Sequence, residues 1–76
     1  MVTLTKNFKQ ELIKRDMLQD FEDLIRDCEK EYDLEFDYNT WYSVKFKRGE
    51  KLLAEFSHTS FLSFVLRLEL LLERLS

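Results

Sequence analysis

The sequence predicts a small α+β domain built as helix, three-stranded antiparallel meander and helix (α-β-β-β-α), with both helices on one face of the sheet. Apolar residues first recur at gaps of three and four, which is the helical period. From Leu34 onward they alternate with polar residues, which is the period of a half-buried strand. The 76 residues, of which 45% are hydrophobic, predict one small domain over residues 1–76.

The first helix is predicted over residues 7–32. At its start, Asn7 and Gln10 have the spacing of a capping box. Its apolar stripe comprises Phe8, Leu12, Ile13, Met17, Phe21, Leu24, Ile25, Cys28 and Tyr32. The alternative is a break near Asp16, in which Asp16 caps a second segment and Gln19 reaches back to it. Of the two, one continuous helix is favoured.

Three strands follow the first helix. Their apolar positions are Leu34, Phe36 and Tyr38, then Tyr42, Val44 and Phe46, then Leu52, Ala54 and Phe56. The linking segments are short, so antiparallel pairing is expected. Pairing Phe46 with Leu52 keeps the apolar side chains of the last two strands on one face. A two-residue turn that begins at Arg48 would instead pair Phe46 with Lys51 and invert the third strand. Burial favours the first register, with a three-residue loop or a bulge near Gly49.

The last helix has more leucine than one buried face requires. A hydroxyl residue among residues 57–60 can cap it, and it extends to the C-terminus. A turn of about 100° per residue gives it a core stripe of Phe61, Phe64, Val65, Leu68, Leu71, Leu72 and Leu75. Leu62, Leu66 and Leu70 form a second row on the opposite side. This row is either a contact with another chain or covered by the first helix, and we predict that it is a homodimer interface.

Acidic residues are concentrated in one stretch of the chain. The formal net charge is −3, and residues 16–37 contain ten acidic residues against two basic ones. Asp20, Asp23 and Asp27 fall along one flank of the predicted first helix. The usual role of such a run is to solvate a helix face. The other interpretation makes these three residues a binding surface for a partner with a basic face.

Trp41 is a further candidate for partner binding. It stands beside the predicted turn at Asn39 and Thr40, outside the alternation of the second strand. An exposed Trp is a frequent binding anchor. The alternative is that Trp41 folds over the edge of the sheet.

The remaining chemistry-bearing residues predict no enzyme. Cys28 and His58 are the only residues of their types, and Gly49 is the only glycine. A lone thiol on an apolar helix face is expected to be a buried core residue rather than a nucleophile. One glycine cannot form a phosphate-binding loop. We therefore predict no catalytic residues, no cofactor and no metal.

The setting expected from the sequence is the cytoplasm, because a single cysteine fits a reducing compartment. Charged residues interrupt the apolar stretch of residues 61–75, so no membrane span is expected. Residues 1–5 lack the apolar core of a signal peptide.

The function that these features favour is protein binding. We expect a small acidic module that acts as a regulator, an inhibitor or an assembly factor by occupying a surface of a partner macromolecule. The alternatives are nucleic-acid binding through the basic hairpin and a purely architectural homodimer. The hairpin's basic residues are Lys45, Lys47, Arg48 and Lys51.

The predicted element order resembles that of the double-stranded RNA-binding domain. That family opens its second helix with a lysine cluster that contacts phosphate. Residues 58–63 of this chain contain neither Lys nor Arg. The resemblance therefore ends at element order, and nucleic acid is not the expected partner.

Overall fold

Three helices cover one face of a four-stranded mixed sheet in the computed structural model, which describes residues 1–75. The elements are β1 (Val2–Leu4), α1 (Lys6–Lys14), α2 (Leu18–Ile25), β2 (Asp33–Tyr38), β3 (Tyr42–Arg48), β4 (Lys51–His58) and α3 (Phe61–Leu75). The strand order is β1-β2-β3-β4, with β1 parallel to β2 and the other neighbours antiparallel. The α+β class is confirmed, and the predicted α-β-β-β-α order is corrected to three helices and four strands.

Strand β1 is the first correction. Val2 pairs with Leu34 and Leu4 with Phe36 in parallel register. A strand of three residues is too short to show an alternating pattern, and its partner lies beyond two helices in the chain. Because β1 covers the edge of β2, Leu34 and Phe36 lie in an interior strand and are fully buried.

The second correction is that the helix predicted over residues 7–32 is two helices, because the chain turns at Asp16. Asp16 is left-handed, with φ 55°. The Met17 N–H donates to the Leu12 carbonyl at 2.9 Å and the Asp16 N–H donates to the Ile13 carbonyl at 3.0 Å. These are the paired bonds of a Schellman C-cap. A continuous helix over that span would be about 39 Å long, whereas the longest extent of the molecule is 30 Å.

The bounds of both segments also differ from the prediction. Thr5 Oγ1 accepts a hydrogen bond from the Phe8 N–H at 3.5 Å and donates one to Asp37 Oδ1 at 2.9 Å. Thr5, rather than Asn7, is therefore the N-cap of α1. The predicted cap lies two residues too late because β1, which sets the position of Thr5, gives no signal in the sequence. After α2, residues 26–31 form turns instead of continuing the helix.

The core is organised around Phe36 of the interior strand β2. The Phe36 ring lies 5.2 Å from that of Phe8 in α1, 4.9 Å from that of Phe21 in α2 and 6.3 Å from that of Phe64 in α3. All three helices therefore pack on the same face of the sheet. The buried core residues are Phe8, Leu12, Phe21, Ile25, Leu34, Phe36, Tyr42, Val44, Phe46, Phe64, Leu68 and Leu72.

The register of β3 and β4 corrects the predicted pairing. Phe46 pairs with Ala54, two residues beyond the predicted partner Leu52. A turn containing Gly49, with φ 64°, closes the hairpin, and Leu53 is the extra residue of a bulge. A bulge is present as predicted, but it lies at Leu53 rather than at Gly49. It keeps Ala54 on the core face but moves Leu52 to the open face opposite Lys47.

Helix α3 packs as its periodicity predicts. Ser60 Oγ accepts a hydrogen bond from the Ser63 N–H at 3.4 Å, so the predicted cap by a hydroxyl residue is confirmed. Phe64, Leu68 and Leu72 are buried. The other described members of the stripe, Phe61, Val65 and Leu71, pack against the core as half-buried residues. The side chain of the last predicted member, Leu75, lies outside the described residues.

Candidate protein-binding surfaces

The second row of leucines on α3 is open to solvent. Leu62, Leu66 and Leu70 are 69%, 52% and 61% exposed. Helix α1 does not cover them, so the intramolecular interpretation of this row is wrong. We call these three residues the leucine ridge. Its predicted role as a dimer interface stays a prediction.

The two flanks of the leucine ridge carry opposite charges. Glu69 and Glu73 lie on the flank that borders α2, where Glu69 and Leu24 line the same depression. Arg67 and Arg74 lie on the flank that borders β4. There the Arg67 guanidinium lies 5.4 Å from the centre of the Phe56 ring, a cation–π contact that holds this flank against the sheet.

A shallow groove runs between α2 and α3, and its charges have one sign. Two adjoining depressions that share Leu24 and Glu69 form it. Its lining residues are Met17, Asp20, Phe21, Asp23, Leu24, Asp27, Cys28, Val65, Glu69, Leu72 and Glu73. Five of these are acidic and none is basic. We call this feature the acidic groove, and it contains the three predicted partner-binding aspartates.

The acids of the groove differ in how far they are neutralised. Asp23 forms an ion pair with Arg26 and accepts a hydrogen bond from Gln19 Nε2 at 3.1 Å. Within residues 1–75, Asp20 and Asp27 have no ion-pair partner. Asp20 lies in the first turn of α2, where the helix dipole favours a negative charge. The two aspartates therefore remain available to a basic partner.

Cys28 is the one thiol in the acidic groove. Burial, with Asp27 and Glu31 nearby, raises the pKa of the Cys28 thiol above its ordinary value. The thiol therefore stays protonated at neutral pH and is a weak nucleophile. Because it lines the groove, its alkylation rate can report whether the groove is occupied.

Trp41 projects from the turn before β3. Its side chain is 53% exposed. Within the described part of the chain, its ring contacts no other aromatic ring. The exposure keeps Trp41 a candidate binding anchor, and it is not among the residues that line the acidic groove.

A polar network that the sequence did not predict joins α1 to the sheet. Arg15 Nη1 donates to Glu11 Oε1 at 2.8 Å, and Arg15 Nη2 donates to the Tyr42 hydroxyl at 2.8 Å. The same hydroxyl donates to Glu11 Oε1 at 3.0 Å, and the guanidinium lies 4.6 Å from the Phe61 ring centre. The hydrogen bonds from Arg15 and Tyr42 lower the pKa of Glu11. Only the i,i+4 spacing of Glu11 and Arg15 gives a signal in the sequence.

The basic hairpin presents interleaved charges on the open face of the sheet. Lys47 Nζ lies 2.7 Å from Glu35 Oε2, and this contact raises the pKa of Lys47. Lys45 pairs across the strands with Glu35 on one side and Glu55 on the other. A polyanion would have to displace these carboxylates, so this face is poorly suited to phosphate.

Comparison of the chain with known protein families, characterised proteins and solved structures finds no match. Within residues 1–75, the His, Cys, Asp and Glu side chains form no group of three or more that could hold a metal ion. None of the helices in the same range combines the length and apolar character needed to cross a bilayer.

Proposed function

We propose that this protein is a small protein-interaction module that binds a basic segment of a partner protein in the acidic groove. By occupying that segment it acts as a regulator, an inhibitor or an assembly factor for the partner. The observation that carries this proposal is the groove itself, in which acids from two separate helices flank a strip of apolar side chains.

The residues that line the groove indicate what kind of partner segment would fit it. Leu24, Val65 and Leu72 provide apolar surface along the groove, and Asp20 and Glu69 line it beside them. An amphipathic helix places apolar side chains at spacings of three and four, with its charges along the edges of that stripe. A segment with Lys and Arg at those edges therefore complements both the apolar strip and the acidic rims.

The nucleic-acid alternative has weaker support in the geometry. Phosphate binding needs basic side chains gathered on one face, with counterions to release. Lys45 and Lys47 are instead bordered by Glu35 and Glu55. The acidic groove is lined by five acidic side chains and no basic one, so it repels nucleic acid.

The direct test is a titration with a synthetic amphipathic helical peptide of Lys and Leu. We expect binding that weakens severalfold in the double variant Asp20→Asn/Asp27→Asn. The loss should lie mainly in the association rate and be greatest at low ionic strength, because exposed charges act mostly through steering. Alkylation of Cys28 should slow when the peptide is bound.

Two controls separate groove binding from general charge attraction. The variant Glu50→Gln/Glu55→Gln removes the same charge from the hairpin and should bind as the unmodified protein does. A peptide of the same composition, scrambled so that it has no apolar face, should bind far more weakly. Equal losses in the two variants, or equal binding of the two peptides, contradict a site in the groove.

Capture from a nuclease-treated and an untreated lysate, at low and at high salt, then addresses the partner class. A salt-sensitive protein partner, retained by the unmodified chain and lost with Asp20→Asn/Asp27→Asn, supports the proposal. Recovery of nucleic acid, unaffected by that variant, supports the alternative instead.

A further inference from the structure

We propose that the leucine ridge is occupied by a second copy of this chain, in a dimer whose two α3 helices run parallel. The inference shares Glu69 with the acidic groove but does not require a partner to bind there, and it rests on two features of α3. The first is the exposed apolar row, and the second is the opposite charge of its two flanks.

The shape of the row favours another helix as its occupant. Leu62, Leu66 and Leu70 are spaced four residues apart, so they form one continuous i±4 ridge. Two such ridges interdigitate at a crossing angle of about −50°, with the middle residue at the crossing point. Helix α3 has 15 residues, which gives it about 22 Å of length for such a contact. Leu66 is therefore expected at the centre of the interface.

The charges decide which two-fold axis relates the copies. A two-fold axis that runs in the same direction as the two helices relates them as a parallel pair. A two-fold axis perpendicular to both helices relates them as an antiparallel pair. The parallel arrangement places the Glu69 flank of one copy opposite the Arg67 and Arg74 flank of the other. The antiparallel arrangement places acid against acid and base against base. Charge complementarity therefore selects the parallel dimer.

The first experiment measures the oligomeric state by equilibrium sedimentation, at concentrations of roughly 10 to 100 μM. We expect the unmodified protein to have the mass of a dimer and Leu66→Glu to be a folded monomer. Leu52→Glu is the matched control, because Leu52 is 47% exposed on β4, outside the ridge, and it should remain dimeric. A monomeric unmodified protein, or equal dissociation of the two variants, overturns the proposal.

The second experiment tests the direction of the helices and does not depend on the folding of Leu66→Glu. Glu69→Gln and Arg74→Gln each remove an attraction in the parallel dimer and a repulsion in an antiparallel one. Both variants should therefore raise the dimer dissociation constant, by about two- to fivefold for exposed pairs. The two substitutions change the net charge in opposite directions, so overall repulsion cannot weaken the dimer in both. Tighter or unchanged dimerisation in both variants overturns the parallel arrangement.

Discussion

Both sides of α3 are rich in leucine, but one side is buried and the other is exposed to solvent. Leu68 and Leu72 face the sheet and are 0% and 8% exposed, whereas Leu62, Leu66 and Leu70 are each more than half exposed. The sheet can cover only one side of a helix that packs on it, so the remaining leucines contribute little to folding. The difference teaches that one side of this helix stabilises the fold, whereas the other leaves apolar surface exposed to solvent.

The charged groups show a second contrast, between a cluster whose charges compensate one another and a groove whose charges have one sign. At the junction of α1 with β3, Glu11, Arg15 and Tyr42 satisfy one another. Among the described residues, no buried side-chain polar atom lacks a hydrogen-bond partner. In the acidic groove, by contrast, charges of one sign lie side by side. The charges of the first cluster compensate one another, whereas Asp20 and Asp27 of the acidic groove have no ion-pair partner within residues 1–75.

The largest effect is expected from the matched substitutions Leu68→Ala and Leu66→Ala. Leu68→Ala removes buried atoms and leaves a cavity, so it should lower the free energy of unfolding by about 2–5 kcal/mol. Leu66→Ala, measured in dilute solution where dimers dissociate, should change it by less than about 0.5 kcal/mol. Urea unfolding followed by circular dichroism provides both values. Similar decreases in the free energy of unfolding in the two variants would contradict the proposed difference between the two sides of α3.

The two sides of α3 could be predicted from the sequence because helical periodicity is local information. The angles of Phe64, Leu68 and Leu72 identify the buried side, and those of Leu62 and Leu66 place them on the opposite side. Whether that opposite side is exposed depends on where α1 lies, so the sequence left this point open. The cap at Ser60 is also local information, because its hydrogen bond joins residues three apart.

The features that could not be predicted depend on contacts between residues that are far apart in the sequence. Strand β1 exists because Val2 and Leu4 meet β2, and three residues alone carry no strand signal. The register of Phe46 depends on the position of the bulge at Leu53, which alternation alone does not locate. The acidic groove needs Glu69 from α3 beside α2, and only the packing of the two helices brings them together.

The second prediction concerns Asp16, whose turn lets α1 and α2 each direct an apolar face to the sheet. A left-handed conformation is costly for residues with a Cβ atom and open to glycine. Asp16→Gly should therefore raise the free energy of unfolding by about 0.5–1 kcal/mol. Asp16→Ala is the control, because it retains the Cβ atom, and it should bring no gain. If the glycine variant is destabilised, the side chain of Asp16 stabilises the turn.

The third prediction addresses the aspartates of the acidic groove. Replacing Asp20, Asp23 and Asp27 together by Asn should leave the melting temperature equal or higher. The variant loses the exposed ion pair between Asp23 and Arg26 and the favourable position of Asp20 at the helix N-terminus, and each contributes little. It also relieves the repulsion between crowded like charges along the helix, which is mildly destabilising. Differential scanning calorimetry at low and high salt is the measurement. Marked unfolding of this triple variant would show that the groove acids are structural.

The smallest effect concerns the network of Glu11, Arg15 and Tyr42, and it disappears in acid solution. The hydrogen bonds from Arg15 and Tyr42 hold the pKa of Glu11 below its ordinary value of 4.5. A carboxylate whose pKa is lowered on folding stabilises the native state above its unfolded pKa, and this contribution is lost as the pH falls through the folded value. Glu11→Gln should therefore have the lower melting temperature at neutral pH, and the gap from the unmodified protein should close below about pH 4. Glu50→Gln, which removes an exposed carboxylate from the β3–β4 turn, should show no such closing gap. A constant difference across the titration would mean that Glu11 stabilises α1 without its charge.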